Sequence, residues 1–193
     1  MAISHSAIIE RQMIEARGSG KIFVFYRDTD LYISRLLIKL LTMLESSHLR
    51  LRLWRHLADQ TSHASLWTDH IGRLGLEELQ CDPIASRKAR PAPDQFDDAV
   101  DLLAEIIVVE EALLRSYESH SSLRAVDEAT RSLLFRLIED ETWHIPSTRG
   151  KLAEVAASFG ERRELADVLS KYRLAEDRLY QALKTRNLVL DAH

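Results

Sequence analysis

Apolar residues recur along this chain at intervals of three and four, the spacing that gives one side of an α-helix a continuous stripe. Ile3, Ala7, Met13 and Ile14 make such a stripe over residues 2–17, and Gly18-Ser19-Gly20 is expected to stop it. A second pattern opens near Asp28-Thr29-Asp30, good capping residues, and runs to Gly72 with neither glycine nor proline, as one helix or as two. Two glycines, Pro83, Pro91, Pro93 and the basic run Arg87-Lys88-Ala89-Arg90 then predict an irregular crossover over about residues 74–93. Helical patterns return over about 94–119, 124–159 with a break or bend at Pro146, and 162–188. The expected plan is two helical hairpins joined by a long connection, with an extra C-terminal helix, all in a single domain over 1–193.

Composition supports that plan. Six glycines and four prolines among 193 residues leave long stretches free of breakers, and 46% apolar residues supply one core, so the fold class is all-α. A formal charge of −4 with both signs interspersed forms no basic stripe for phosphates, so nucleic acid is not an expected partner. The lone Cys81 makes neither an internal disulfide nor a four-thiolate iron centre, and no apolar run reaches membrane-spanning length. A cytoplasmic protein without a membrane segment is the expectation.

The chemistry comes from polar residues inside apolar helical faces. Glu110 shares its face with Leu103, Ile106, Ile107, Leu113, Leu114 and Tyr117, so any helix burying those residues buries the carboxylate too. Glu141 sits among Leu134, Leu137, Ile138 and Ile145, and Glu45 among Ile38, Leu41, Thr42 and Leu49. A buried carboxylate without a partner costs several kcal/mol, so each needs a cation or strong donors. Pairing with one of the many arginines is the plain solution. Against it, a shift of about 96 residues superposes Glu45-Ser-Ser-His48 on Glu141-Thr-Trp-His144, so two Glu-x-x-His pairs fall in corresponding helices.

These residues resemble the ferritin-like di-iron carboxylate superfamily, whose four-helix bundle draws one Glu from each of two helices and a Glu-x-x-His from each of the other two. The resemblance implies metal ligands Glu45 and His48, Glu110, and Glu141 and His144, with Glu10 as the first-helix acid and Glu15 as its fallback. It implies two iron ions, with manganese the alternative, and a non-heme di-iron oxidase or oxygenase acting on a small molecule with dioxygen. Electrons would come from an external reductase or from the substrate, and a homodimer is the expected assembly. The alternatives are an iron-handling or peroxide-scavenging protein of the same superfamily, a heme-oxygenase-like di-iron oxidase, and a metal-free helical interaction protein.

A second register competes. Asp59-Gln60-Thr-Ser-His63 reads as the same motif with Gln in place of Glu, and His56, His63 and His70 recur every seven residues on one face. In that register Asp28 or Asp30 is the first-helix acid, and Glu45 and His48 fall elsewhere. A solvated face or a dimer seam is the other reading of His56 and His70.

Overall fold

The computed structural model describes residues 19–76, 90–158 and 165–184, and among them are five α-helices and no strand. They are α1 (Ser19–Met43), α2 (Ser47–Arg73), α3 (Ala99–Ser121), α4 (Glu128–Ser158) and α5 (Leu165–Lys184), with one short 3-10 turn at Pro93–Gln95 before α3. The all-helical expectation therefore holds for the described residues. The register of the first half does not.

The helix expected over residues 2–17, and Gly18 at its end, lie outside the described residues; within them α1 begins at Ser19 and continues through Asp28-Thr29-Asp30, which lie in its middle rather than at a cap. What looked like one long pattern is two helices, parted at residues 44–46. Ser46 takes extended backbone at φ −62°, ψ 114°, and its side chain accepts a hydrogen bond from the Leu49 amide, so α2 restarts at once in the opposite direction. Helix α2 ends at Leu74, followed by Gly75 at φ 66°, a left-handed conformation that favours glycine. Asp98, also extended, starts α3 by accepting from the Val100 amide at 2.6 Å. Pro146 is accommodated inside an otherwise continuous α4.

Helix α1 packs along α2 and α3 along α4; α1 also packs on α3, α2 meets α4 more sparsely, and α5 lies on the outer side of α3. The apolar stripes close on one core, in which Val24, Ile33, Leu36, Leu37, Leu40, Leu53, Leu103, Ile106, Ile107, Leu134 and Leu137 expose nothing to solvent. At about 0.8 kcal/mol per buried CH2, this burial is the main force holding the four helices in register. An aromatic layer continues the core. Trp67 donates its indole N–H to the Tyr117 hydroxyl at 3.1 Å, and Tyr26 packs edge-on against Tyr117 with ring centroids 4.8 Å apart.

Helix α5 is pinned by a buried ion pair. Most of the expected crossover, residues 77–89, lies outside the described residues; Arg90, in the segment that leads into α3, meets Glu176 of α5 and stacks over Tyr32 of α1 at 5.3 Å, while the Tyr32 hydroxyl donates to Glu105 of α3 at 2.9 Å.

Candidate metal centre

Each of the four packed helices turns acidic or imidazole side chains toward a common point. On α1, Asp30 shares a face with Tyr26, Ile33 and Leu37 and is completely buried. On α2, His56, Gln60 and His63 follow one another at four and three residues and are all buried. Glu110 stands alone on α3, and Glu141, His144, Thr148 and Lys151 share the inner face of α4. Asp30 and Gln60 stand the same number of residues from the helix ends that their turn joins, which brings them to one height in the α1–α2 hairpin.

The geometry has two features. First, buried atoms of the kind that bind metals make no hydrogen bond of good geometry: both Asp30 oxygens, both Glu110 oxygens, Glu141 Oε2, His56 Nε2, His63 Nδ1 and His144 Nδ1. They are nevertheless close together. His56 Nε2 is 2.6 Å from Glu110 Oε1, His63 Nδ1 is 3.3 Å from Glu141 Oε1, and His144 Nδ1 is 3.7 Å from Glu141 Oε2. Asp30, His63 and Glu141 each offer an atom within 4.8 Å of the others. Second, two of the imidazoles are held from behind. His63 Nε2 lies 3.1 Å from Asp140 and His144 Nε2 lies 3.1 Å from Asp59, both acids half exposed at the rim. A carboxylate on one ring nitrogen favours the proton there and directs the other nitrogen's lone pair inward.

The two orienting acids cross over: Asp59 of α2 holds the histidine of α4, and Asp140 of α4 holds the histidine of α2. Asp59-Gln60-x-x-His63 and Asp140-Glu141-x-x-His144 are thus paired segments, and Gln60 donates to Glu141 Oε1 at 2.9 Å across the 81 residues between them.

Burial opposes charge throughout this cluster. Burial pushes the Asp30 carboxyl up, and the charges of Glu141 and Glu110 push it further. Burial, then Glu141, raises Glu110 as well. Burial also opposes the Glu141 charge, but His144 and His63 beside it bring its carboxyl down. Against its own burial, His144 is lifted to about 9, mainly by Glu141. Among the described residues no arginine pairs with Asp30, Glu110 or Glu141; the nearest fixed cation is Lys151, whose Nζ lies 3.5 Å from His56 Nδ1. Three carboxylates facing one another in a dry core are costly unless protons or metal ions neutralise them.

The structure brings together Glu110, Glu141 and His144, joined by Asp30, His56, Gln60 and His63 of the alternative register. It does not bring Glu45 or His48, and that assignment is corrected: both are exposed, in and just after the turn between α1 and α2, at the end of the hairpin. The turn contains no glycine or proline, so the apolar spacing carried the pattern across it, and the 96-residue superposition matched a corner with a helix centre. Glu10 and Glu15 lie outside the described residues. His70, the third of the heptad-spaced histidines, departs from the cluster: its Nε2 lies 2.9 Å from the Thr130 hydroxyl. Asp59, which orients His144, carried no assignment beyond motif membership, and Asp140, which orients His63, carried none; their signal is the acid immediately preceding each Gln/Glu-x-x-His.

Comparison with protein-family models, curated proteins and solved structures returned no match.

Proposed function

We propose that the cluster is a dinuclear metal centre in a ferritin-like four-helix bundle, and that the protein is a non-heme di-iron oxidase or oxygenase acting on a small molecule, with manganese as the alternative metal. The observation that carries this reading is the buried group of Asp30, His63 and Glu141, whose ligand atoms lie within 4.8 Å of one another without well-formed hydrogen bonds to satisfy all of them, backed by oriented imidazoles. A purely structural polar core would pair these atoms, because each unsatisfied group costs about 1–3 kcal/mol. A metal centre needs them unpaired. The donor set, carboxylate and imidazole without thiolate, suits Fe(II) or Mn(II).

Asp30, His63, Glu110, Glu141 and His144 would hold the ions. Iron bound there supplies the capacity to reduce dioxygen and oxidise a substrate. The chain's own contributions are distinct. Asp59 and Asp140 fix the imidazoles, Gln60 holds one Glu141 oxygen, and Lys151 places a positive charge behind His56. The apolar core of Leu103, Ile106, Ile107, Leu134 and Leu137 around Glu110 and Glu141 excludes water.

The deciding experiment is reconstitution of chelator-treated protein with Fe(II) under argon, followed by desalting, elemental analysis and exposure to oxygen. About two irons per chain, and oxygen consumption lost in Glu141→Ala, are expected. Iron retention no higher than in Glu141→Ala would overturn the reading in favour of a metal-free helical protein. Continued iron loading far beyond two per chain would instead favour storage.

A further inference from the structure

Near the C-terminal end of α2, away from the metal centre, a cavity of about 240 Å3 opens between α2 and α4. Its lining includes Arg73 of α2 and Arg136 of α4, with His70, Ser132 and the apolar Leu66 and Leu133. The chain carries 30 acids against 26 lysines and arginines, yet no acid lines this cavity. Among the described residues neither Arg73 nor Arg136 has a carboxylate partner, whereas Arg52 meets Glu154, and Arg149 and Arg173 meet Glu111. Helix geometry turns the two unpaired guanidiniums toward each other. Along their seam α2 and α4 run antiparallel, since Gln60 meets Glu141, His63 meets Asp140 and His70 meets Thr130. Side chains on a helix lean toward its N-terminus. Arg73 therefore leans back over His70, one turn before it, and Arg136 leans back over Ser132; on antiparallel helices these directions oppose, so both side chains close on the middle of the cavity. His70 is a fixed wall between them. It is buried, meets Phe23 edge to face with ring centroids 5.1 Å apart, and places Nε2 2.9 Å from the Thr130 hydroxyl, which itself donates to Asp127 at 2.5 Å. The Thr130 proton goes to the carboxylate, so its oxygen accepts from His70 Nε2–H. Burial holds this imidazole below its ordinary range, with Asp127 opposing and Arg73 adding to the effect. The positive charge of the cavity thus belongs to the two guanidiniums.

We propose that this cavity binds a phosphate monoester with a small apolar body, its phosphate clamped between Arg73 and Arg136. A guanidinium fork matches two phosphate oxygens at once, and the Ser132 hydroxyl supplies a further donor. Charge favours phosphate over carboxylate: a monoester carries about two negative charges at neutral pH and balances both guanidiniums, whereas a carboxylate leaves one unmatched. Size sets the rest of the ligand. At about 30 Å3 per water the cavity equals roughly eight waters, more than a bare phosphate fills, yet it is smaller than the roughly 300 Å3 at which pockets for drug-sized ligands begin. Leu66 and Leu133 give the remaining volume an apolar surface for the organic body. The site is separate from the metal centre and does not depend on what that centre holds.

The test uses the full chain, treated with chelator and desalted so that no bound metal can hold phosphate. Phenyl phosphate is titrated in by calorimetry at about 0.1 M salt, where charges more than about 10 Å away are largely screened. One phenyl phosphate per chain is expected, bound more tightly than inorganic phosphate or benzoate. Arg73→Ala and Arg136→Ala should each weaken it at least about tenfold. Arg35→Ala removes the same charge from the exposed face of α1, toward the α1–α2 turn at the other end of the hairpin, and should leave the affinity within about twofold. Arg73 and Arg136 are both exposed, so neither substitution disturbs the core. Nuclear magnetic resonance of the wild-type protein gives a reading that needs no variant: the Ser132 amide and His70 imidazole signals should shift and saturate at one ligand per chain. Binding that does not saturate, an equal loss in Arg35→Ala, or signal shifts confined to other helices overturns the proposal. Benzoate bound as tightly as phenyl phosphate overturns the choice of phosphate.

Discussion

At the scale of single residues, the sharpest question is what Glu110 contributes when no metal is bound. Burial and the nearby Lys151 charge keep His56 below its ordinary range, so its contact with Glu110 is not an ion pair in the metal-free protein. Removing Glu110 should then orphan no charge. Glu110→Ala is expected to leave the melting temperature of the chelator-treated protein unchanged or raised, while iron binding falls sharply. A loss of roughly 3–5 kcal/mol, the cost of breaking a true buried ion pair, would contradict this. Asp140 is the counterpart at the rim. Because it is half exposed, Asp140→Ala should cost little stability, yet by releasing His63 Nε2 it should weaken metal binding about 10–100-fold, measurable by isothermal titration.

At the scale of elements, the informative event is the turn at residues 44–46. If Ser46 is what restarts the chain as α2, Ser46→Ala should cost about 1 kcal/mol in chemical denaturation, at the lower end because its bond to the Leu49 amide is long at 3.4 Å. A cost indistinguishable from zero would mean that packing of Leu44, Leu49 and Leu53 alone sets the corner. That turn also explains what could be read from the sequence. Glu110 and Glu141 were legible because each lies in an uninterrupted helix, where neighbours at three, four and seven residues really do share its face. Glu45 failed the same test because its neighbours Leu41 and Leu49 belong to different helices. The signal of the break was only a capping serine, Ser46, weaker than any glycine or proline. Once the break is placed, Asp30 moves to mid-helix and Gln60-x-x-His63 takes the position opposite Glu141. The cross-bracing by Asp59 and Asp140 depends on the distance between α2 and α4, which no single-helix pattern contains.

At the scale of the whole molecule, α1, α3, α5 and the segment leading into α3 meet at Tyr32, Glu105, Arg90 and Glu176. This junction makes folding sensitive to pH independently of any metal. Burial, and then the Glu176 charge, lifts the Glu105 carboxyl to about 7 from its ordinary 4.5, Arg90 and the Tyr32 hydroxyl only partly opposing them. The folded pKa exceeds the unfolded one, so the protonated acid is the form the fold prefers. Its stabilisation is fully present below about pH 4.5 and is lost as pH rises through 7, because the unfolded chain ionises Glu105 freely whereas the folded chain resists. The shift corresponds to an effect on the order of 1–3 kcal/mol. Asp30 and Glu110 push in the same direction in metal-free protein, so the whole-protein pH profile cannot isolate Glu105. A difference measurement can. Glu105→Gln imitates the neutral acid and keeps an oxygen for the Tyr32 hydroxyl, so relative to wild type the variant should gain stability between pH 5 and pH 8. Urea denaturation of both proteins at the two pH values gives that difference. If instead the Arg90 guanidinium keeps Glu105 ionised, the sign reverses: the substitution costs stability, and costs more at pH 8 than at pH 5.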